Sequence, residues 1–184
     1  MAELPGDNQL MQRVKTGDTP AFKELFRKYQ HGVLNFFHKL CFNRTSAEDL
    51  TQETFLRLWR ARFSYRPEAG KFSTYLFQIA KNCWINYTSS KKKHARTGET
   101  EGAEHVQAVA GADPAREAEG AELQKNLREA IESLPDDLRI PFVLSRYENL
   151  RYEEIGRVLE ISPRTVERKV SDAAKLLAKR LVGK

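Results

Sequence analysis

The sequence predicts an all-α protein of two small helical domains joined by a flexible acidic linker, the C-terminal domain being a helix-turn-helix. Three observations lead there. Apolar residues recur at three- and four-residue steps in both halves of the chain, the spacing of one helical face. Period-two alternation is absent and β-branched residues are sparse, so strands find no support. Charge is segregated: residues 1–96 carry 17 basic and 8 acidic side chains, residues 97–122 carry 1 and 7, and residues 123–184 carry 13 and 10. Two basic blocks around an acidic joint suggest two modules that each meet a polyanion. The expected division is therefore 1–96, a linker at 97–122, and 123–184.

In the first module, Thr19 and Pro20 mark a helix start, a cap followed by proline at the first helical position. Phe22, Leu25, Tyr29, Val33, Phe36, Phe37 and Leu40 then form one apolar face. Ser46 is expected to cap a second helix from Ala47 to about Arg62, with Leu50, Phe55, Leu58 and Trp59 inward. A third runs from about Ser73 to Ser90, burying Leu76, Ile79, Ala80, Cys83 and Tyr87. A basic run, Lys91, Lys92, Lys93, His94 and Arg96, leads into the joint. The joint holds only two larger aliphatics, Val106 and Val109, and cannot bury enough apolar surface to offset its ordering entropy. As a flexible coil it would span roughly 28 Å on average.

In the second module, Leu123, Leu127, Ala130, Ile131 and Leu134 form a stripe that Pro135 ends. A helix follows from near Asp136 with Leu138, Phe142 and Val143, and Pro141 lies about a turn in, where a missing N–H costs least. Next come a short helix at Tyr152 to Leu159, a break at Glu160 and Ile161, and Ser162-Pro163 opening a last helix to about Leu181. Two short helices with a three- or four-residue turn make the helix-turn-helix pattern, and Gly156 sits where a small residue lets them approach. Val166, Val170, Ala173, Leu177 and Leu181 point inward on the last helix. Arg164, Glu167, Arg168, Ser171, Asp172 and Lys175 point outward, as a helix in a major groove requires.

Composition narrows the function classes. The chain has 184 residues, 30% charged and 40% hydrophobic, with net charge +6. No apolar run approaches the roughly 18 residues of a membrane span. No secretory signal is visible at the N-terminus, and a cytoplasmic location is expected. Cys41 and Cys83 make neither a disulfide scaffold nor a metal pair and read as buried free thiols. His31, His38, His94 and His105 are scattered, and neither a phosphate-binding loop nor a nucleophile elbow is present. The reading is of a non-enzyme that needs no cofactor and no metal.

Four motifs then carry a family resemblance. They are Glu48-Asp49-Leu50-Thr51-Gln52-Glu53-Thr54-Phe55-Leu56-Arg57-Leu58-Trp59, and Phe72-Ser73-Thr74-Tyr75-Leu76-Phe77-Gln78-Ile79-Ala80-Lys81-Asn82. The others are Leu134-Pro135-Asp136-Asp137-Leu138-Arg139, and Tyr152-Glu153-Glu154-Ile155-Gly156 with Ser162-Pro163-Arg164-Thr165-Val166. In this order and spacing, from about Leu10 to Leu181, the chain resembles the extracytoplasmic-function (group IV) sigma factors of bacterial RNA polymerase. The resemblance implies an alternative sigma factor that binds core polymerase and directs promoter-specific initiation. Asp49, Gln52, Glu53, Leu56, Trp59 and Arg60 would dock on the clamp helices of the largest subunit, and the flap of the second-largest subunit is a further implied contact. Ser64, Tyr65, Arg66, Lys71, Tyr75, Gln78, Asn82 and Asn86 would hold the melted minus-ten element, with Lys91, Lys92 and Lys93 on its phosphates. Amides and aromatic rings suit unpaired bases, and Tyr75 stands where many relatives carry tryptophan.

Arg164, Thr165, Glu167, Arg168, Ser171 and Lys175 would face the minus-thirty-five duplex. Arg164 and Arg168 are the base-reading candidates, since arginine bonds guanine bidentately, while Lys175 suits phosphate. Two departures from the family stand out: Arg151 replaces the usual serine or threonine cap, and Asp172 replaces a usual basic residue. The implied partners are core RNA polymerase, promoter DNA and an anti-sigma factor, with a monomer expected when free. The competing classes are a stand-alone helix-turn-helix regulator and a protein-only adaptor. Neither needs the motif from Asp49 to Trp59.

Overall fold

The computed structural model describes residues 6–97 and 114–182, and these form α-helices and short 3-10 turns without a strand. The order is α1 (Asp7–Lys15), α2 (Thr19–Cys41), α3 (Arg44–Arg60), 3-10 turns at Arg62–Ser64 and Pro67–Ala69, α4 (Phe72–Thr97), α5 (Pro114–Glu132), α6 (Asp136–Arg146), α7 (Tyr152–Leu159) and α8 (Pro163–Val182). Among the described residues no helix is long and apolar enough to cross a membrane.

Several boundaries differ from the sequence expectation for local reasons. Asp18, not Thr19, caps α2: its carboxylate accepts the Ala21 N–H at 3.0 Å and is paired with Arg13 at 2.8 Å. Asn43 caps α3 by accepting the Ser46 N–H at 2.8 Å, so that helix starts at Arg44 and Ser46 lies inside it. The Ser46 hydroxyl instead accepts a bond from Tyr87 at 2.9 Å. Helix α1 was not anticipated. It buries Leu10, Met11 and Val14 and is held by Asp7, which accepts bonds from Lys28 and Tyr29. Helix α4 runs past Ser90 to Thr97, and α5 begins at Pro114, inside the expected linker. Residues 98–113 of that linker lie outside the described residues.

The two modules share their apolar interior. One cluster joins residues of α1 to α4 with Ile140, Val143 and Leu144 of α6, Ile155 and Val158 of α7, and Val166 and Val170 of α8. A second gathers Ala130, Ile131 and Leu134 at the end of α5, Ala173 and Leu177 of α8, and Phe42 from the first module. Each fully buried aliphatic chain contributes roughly 1.5–3 kcal/mol, so this contact is a major part of the fold. Polar groups line the seam. Arg139 donates to the Leu40 carbonyl at 3.0 Å, the Trp84 indole N–H donates to Asp136 at 3.2 Å, and Asn35 donates to Glu148 at 2.8 Å.

The C-terminal helix-turn-helix closes as expected. Glu160 is left-handed (φ 59°), Ser162 accepts the Thr165 N–H at 3.2 Å to cap α8, and Val166, Val170, Ala173 and Leu177 are buried. Arg151 offers no side-chain cap, and the start of α7 is held by Glu154, which accepts the Arg151 N–H at 2.9 Å. Gly156 has no room for a methyl group: a Cβ there would lie 2.7 Å from the Ile161 carbonyl oxygen. Gly156→Ala should therefore lower the unfolding free energy by about 1–3 kcal/mol, measured by chemical denaturation. An unchanged midpoint would show that the turn yields freely.

Glu148 lies in the seam with one oxygen against Gly32 and the other on Asn35. Burial pushes its carboxyl up to about 7, against the opposing bond from Asn35. Folding thus favours the protonated acid, and this increment is complete below the ordinary carboxylate range and lost as pH rises through about 7. Burial moves His38 the other way, but that histidine is common to the proteins compared. Between about pH 8 and about pH 5, the wild type should gain about 1–2 kcal/mol of unfolding free energy relative to Glu148→Gln, after allowance for solvent screening. Urea titrations at the two pH values measure the difference, and parallel curves would show that this carboxyl does not sense pH.

Candidate functional site

Three surfaces hold the residues singled out in the sequence. The first is the outer face of α3. Asp49, Gln52 and Arg60 are exposed, and Leu56 keeps 50% of its surface in solvent. Glu53 is half-buried and accepts from Arg57 at 2.6 Å, one helical turn on. Trp59 is half-buried, with its ring 5.1 Å from that of Phe22 and the Arg62 guanidinium 4.6 Å above it. Gln52, Leu56 and Trp59 border an open cavity of about 450 Å³ whose other walls are Thr19, Phe22, Phe26 and Phe55. The sequence reading missed this cavity. Its apolar stripe marks which face of α2 turns inward, but not that Phe22 and Phe26 stop half-way.

The second surface is α4 with the loop before it. Ser64, Arg66, Lys71, Asn82, Asn86, Lys91, Lys92 and Lys93 are exposed. Lys91 stands 4.9 Å over the Tyr87 ring. Tyr65 requires a correction. Expected to face DNA, it is 1% exposed, packs on Phe72 and Tyr75, and bonds through its hydroxyl to Asn8 of α1. Loop composition identifies an aromatic residue but not the direction of its ring, and α1 supplied the polar partner that lets this one go inside. Tyr75 is half-buried and donates to the Ala61 carbonyl at 3.1 Å. Its hydroxyl braces the loop, while part of the ring stays open. Gln78 donates to the Arg157 carbonyl at 2.8 Å, and Lys71 pairs with Glu154 at 2.7 Å. Phe63, at the start of that loop, is 66% in solvent with the Arg62 guanidinium 4.3 Å from its ring.

The third surface is the outward face of α8. Arg164, Glu167, Arg168, Ser171 and Lys175 are exposed, and Thr165 is half-buried at the cap. Asp172 has a neighbour: Lys175 approaches it to 3.9 Å, which moderates the acid on a basic face. Among the described residues no three His, Cys, Asp or Glu side chains gather as metal ligands. Cys41 and Cys83 are free thiols, and burial raises both above their ordinary value, which keeps them protonated and unreactive.

Comparison with known proteins agrees with this arrangement. Residues 25–94 match the family model of sigma-70 region 2, and residues 124–177 match that of sigma-70 region 4. The ECF RNA polymerase sigma-E factor of Escherichia coli is 30% identical, over 92% of this chain and 91% of that protein. The chain belongs to the ECF sigma factors. RNA polymerase sigma-H factor of Pseudomonas aeruginosa is a further relative of this sigma factor, 29% identical over 95% of this chain and 93% of the other. Two solved structures share the fold. CnrH in complex with the cytosolic domain of CnrY superposes with a TM-score of 0.73 at 20% identity, covering 98% of this chain and 99% of that one. The sigma factor RpoE in complex with the anti-sigma factor NepR from Bartonella quintana gives 0.67 at 19% identity, covering 88% and 96%. As an alternative sigma factor the protein directs promoter-specific transcription, and the stand-alone regulator is not favoured.

Proposed function

We propose that this sigma factor divides its work among the three surfaces. The α3 face, with Asp49, Gln52, Glu53, Leu56, Trp59 and Arg60, docks on the clamp helices of core polymerase. Its acids suit a basic partner helix, and Leu56 beside the Phe22–Phe26 cavity offers an apolar anchor point. Helix α4 and its loop take the melted minus-ten strand through Ser64, Arg66, Lys71, Tyr75, Gln78, Asn82 and Asn86, with Lys91 to Lys93 on phosphate. The outward face of α8 reads the minus-thirty-five duplex. The assignment divides the chain into a 1–96 domain for polymerase and the minus-ten element and a 123–184 domain for the upstream element. The protein acts without chemistry of its own, in the cytoplasm, and is restrained by an anti-sigma factor, as NepR is bound to RpoE in one structure of the same fold.

The observation that carries this reading is the α3 face, because a DNA-binding regulator has no use for it. Asp49→Lys with Glu53→Lys should weaken association with core polymerase by about 2 kcal/mol or more, roughly thirtyfold. The fold should persist, since Asp49 is exposed and the Glu53–Arg57 pair is worth only about 0.3–0.5 kcal/mol. Undiminished core binding by a helical double variant would overturn the docking face.

Arg164→Ala or Arg168→Ala should cost roughly 1–3 kcal/mol on an upstream element that offers guanine, and should relax the preference at that base pair. Lys175→Ala should weaken all sequences alike and reduce the salt slope by about one unit. Binding of the three variants to a set of upstream-element duplexes at two salt concentrations separates base reading from phosphate anchoring. A uniform loss for both arginine variants would make them anchors.

A further inference from the structure

Helix α1 precedes the residues that match the region 2 model, yet it reaches the loop assigned to the minus-ten strand. Its own place is fixed from α2. Asp7 accepts bonds from the Lys28 ammonium and the Tyr29 hydroxyl, both at 2.5 Å, and Leu10, Met11 and Val14 are buried. From there two side chains hold one loop residue. Lys15 donates to the Tyr65 carbonyl at 2.7 Å, and the Asn8 side-chain oxygen accepts the Tyr65 hydroxyl. Burial, and after it Asp7, raises the Tyr65 phenol, which keeps that donating proton in place.

Tyr65 and Arg66 are extended and lie between the two 3-10 turns. Successive side chains of extended backbone point to opposite sides. With the Tyr65 ring drawn inward, its neighbours Ser64 and Arg66 are exposed, as strand contacts must be. The same ring lies 5.3 Å from that of Tyr75, whose hydroxyl donates to the Ala61 carbonyl at 3.1 Å. Tyr65 thus connects α1 to a ring of α4 assigned to the strand.

We infer that Asn8 and Lys15 are positioning residues for the minus-ten strand: by holding Tyr65 inward they present Ser64, Arg66 and Tyr75 in the arrangement that binds it. The inference rests on the reading that this loop and α4 take the melted strand. A peptide carbonyl that loses its donor turns toward water and draws the loop with it. A loop that samples several arrangements binds with an affinity reduced to the fraction held in the competent one.

The test uses the full chain and a fluorescein-labelled single strand of twenty thymidines, followed by fluorescence anisotropy. Asn8→Ala and Tyr65→Phe remove the same hydrogen bond from its two ends and change no charge. Each should weaken the strand complex roughly three- to tenfold, and the two together no more than either alone. Lys15→Met keeps the aliphatic stem and removes the ammonium. It should lose a similar factor, more than the charge-matched Lys125→Met at an exposed site on α5. Lys15→Arg, which still donates, should recover most of the loss.

Association with core polymerase should stay at the wild-type value for all of these variants, because the α3 face is untouched. Loss of strand and core binding together, in step with a lower unfolding midpoint, would make α1 plain support for the fold and overturn the inference. Unchanged strand binding would overturn it too, and in that event Arg66→Ala shows which reading failed. A weakened strand complex leaves the loop on DNA and removes only the positioning. No change removes the DNA assignment and the positioning with it.

Discussion

Arg139 fastens the two halves of the molecule. From α6 it reaches the Leu40 carbonyl at the end of α2, grips Asp136 on its own helix, and lies 5.5 Å from the Trp84 ring of α4. Asp136 in turn receives the Trp84 indole N–H. Removing any member would leave a polar group unpaired in a partly buried seam, which costs more than the bond contributes. With α6 fixed on α2, the loop after it delivers Glu148 to Asn35 and Gly32, and α7 comes to rest on α4. The rest of the C-terminal module follows, since α8 packs on both α6 and α7.

That single placement sorts the functional surfaces. Faces pointing away from the seam, on α3 and α8, keep their charged and amide groups in solvent. Part of α4 lies in the seam, where Gln78 donates to the Arg157 carbonyl and Lys81 pairs with Glu160, while Asn82 and Asn86 stay in solvent.

Much of the fold could be read from the chain because the signals were local. Ser162 and Pro163 open α8 as expected, its four-three-four spacing sends Val166, Val170, Ala173 and Leu177 inside, and Gly156 is small for the reason anticipated. Caps slipped where two candidates stood close together, Asp18 beside Thr19 and Asn43 before Ser46, because sequence does not say which oxygen reaches the free N–H groups. The association of the modules was illegible for a different reason. Ile140, Val143 and Leu144 are consistent with a helix buried on one side, and nothing in their spacing tells that part of their cover comes from another domain. Tyr65 was misread for a related cause: the partner of its hydroxyl, Asn8, is remote in sequence.

Phe42 ends α2 in a left-handed conformation (φ 48°) and sends its ring into the core of the other module, among Ala130, Ile131, Leu134, Ala173 and Leu177. It is only 7% exposed there. Any motion that parts the modules strips this ring of its cover and leaves a matching hollow between α5 and α8. An opened molecule thus carries a hydrophobic plug and its socket on separate surfaces, a pairing that two copies can satisfy reciprocally by exchanging modules.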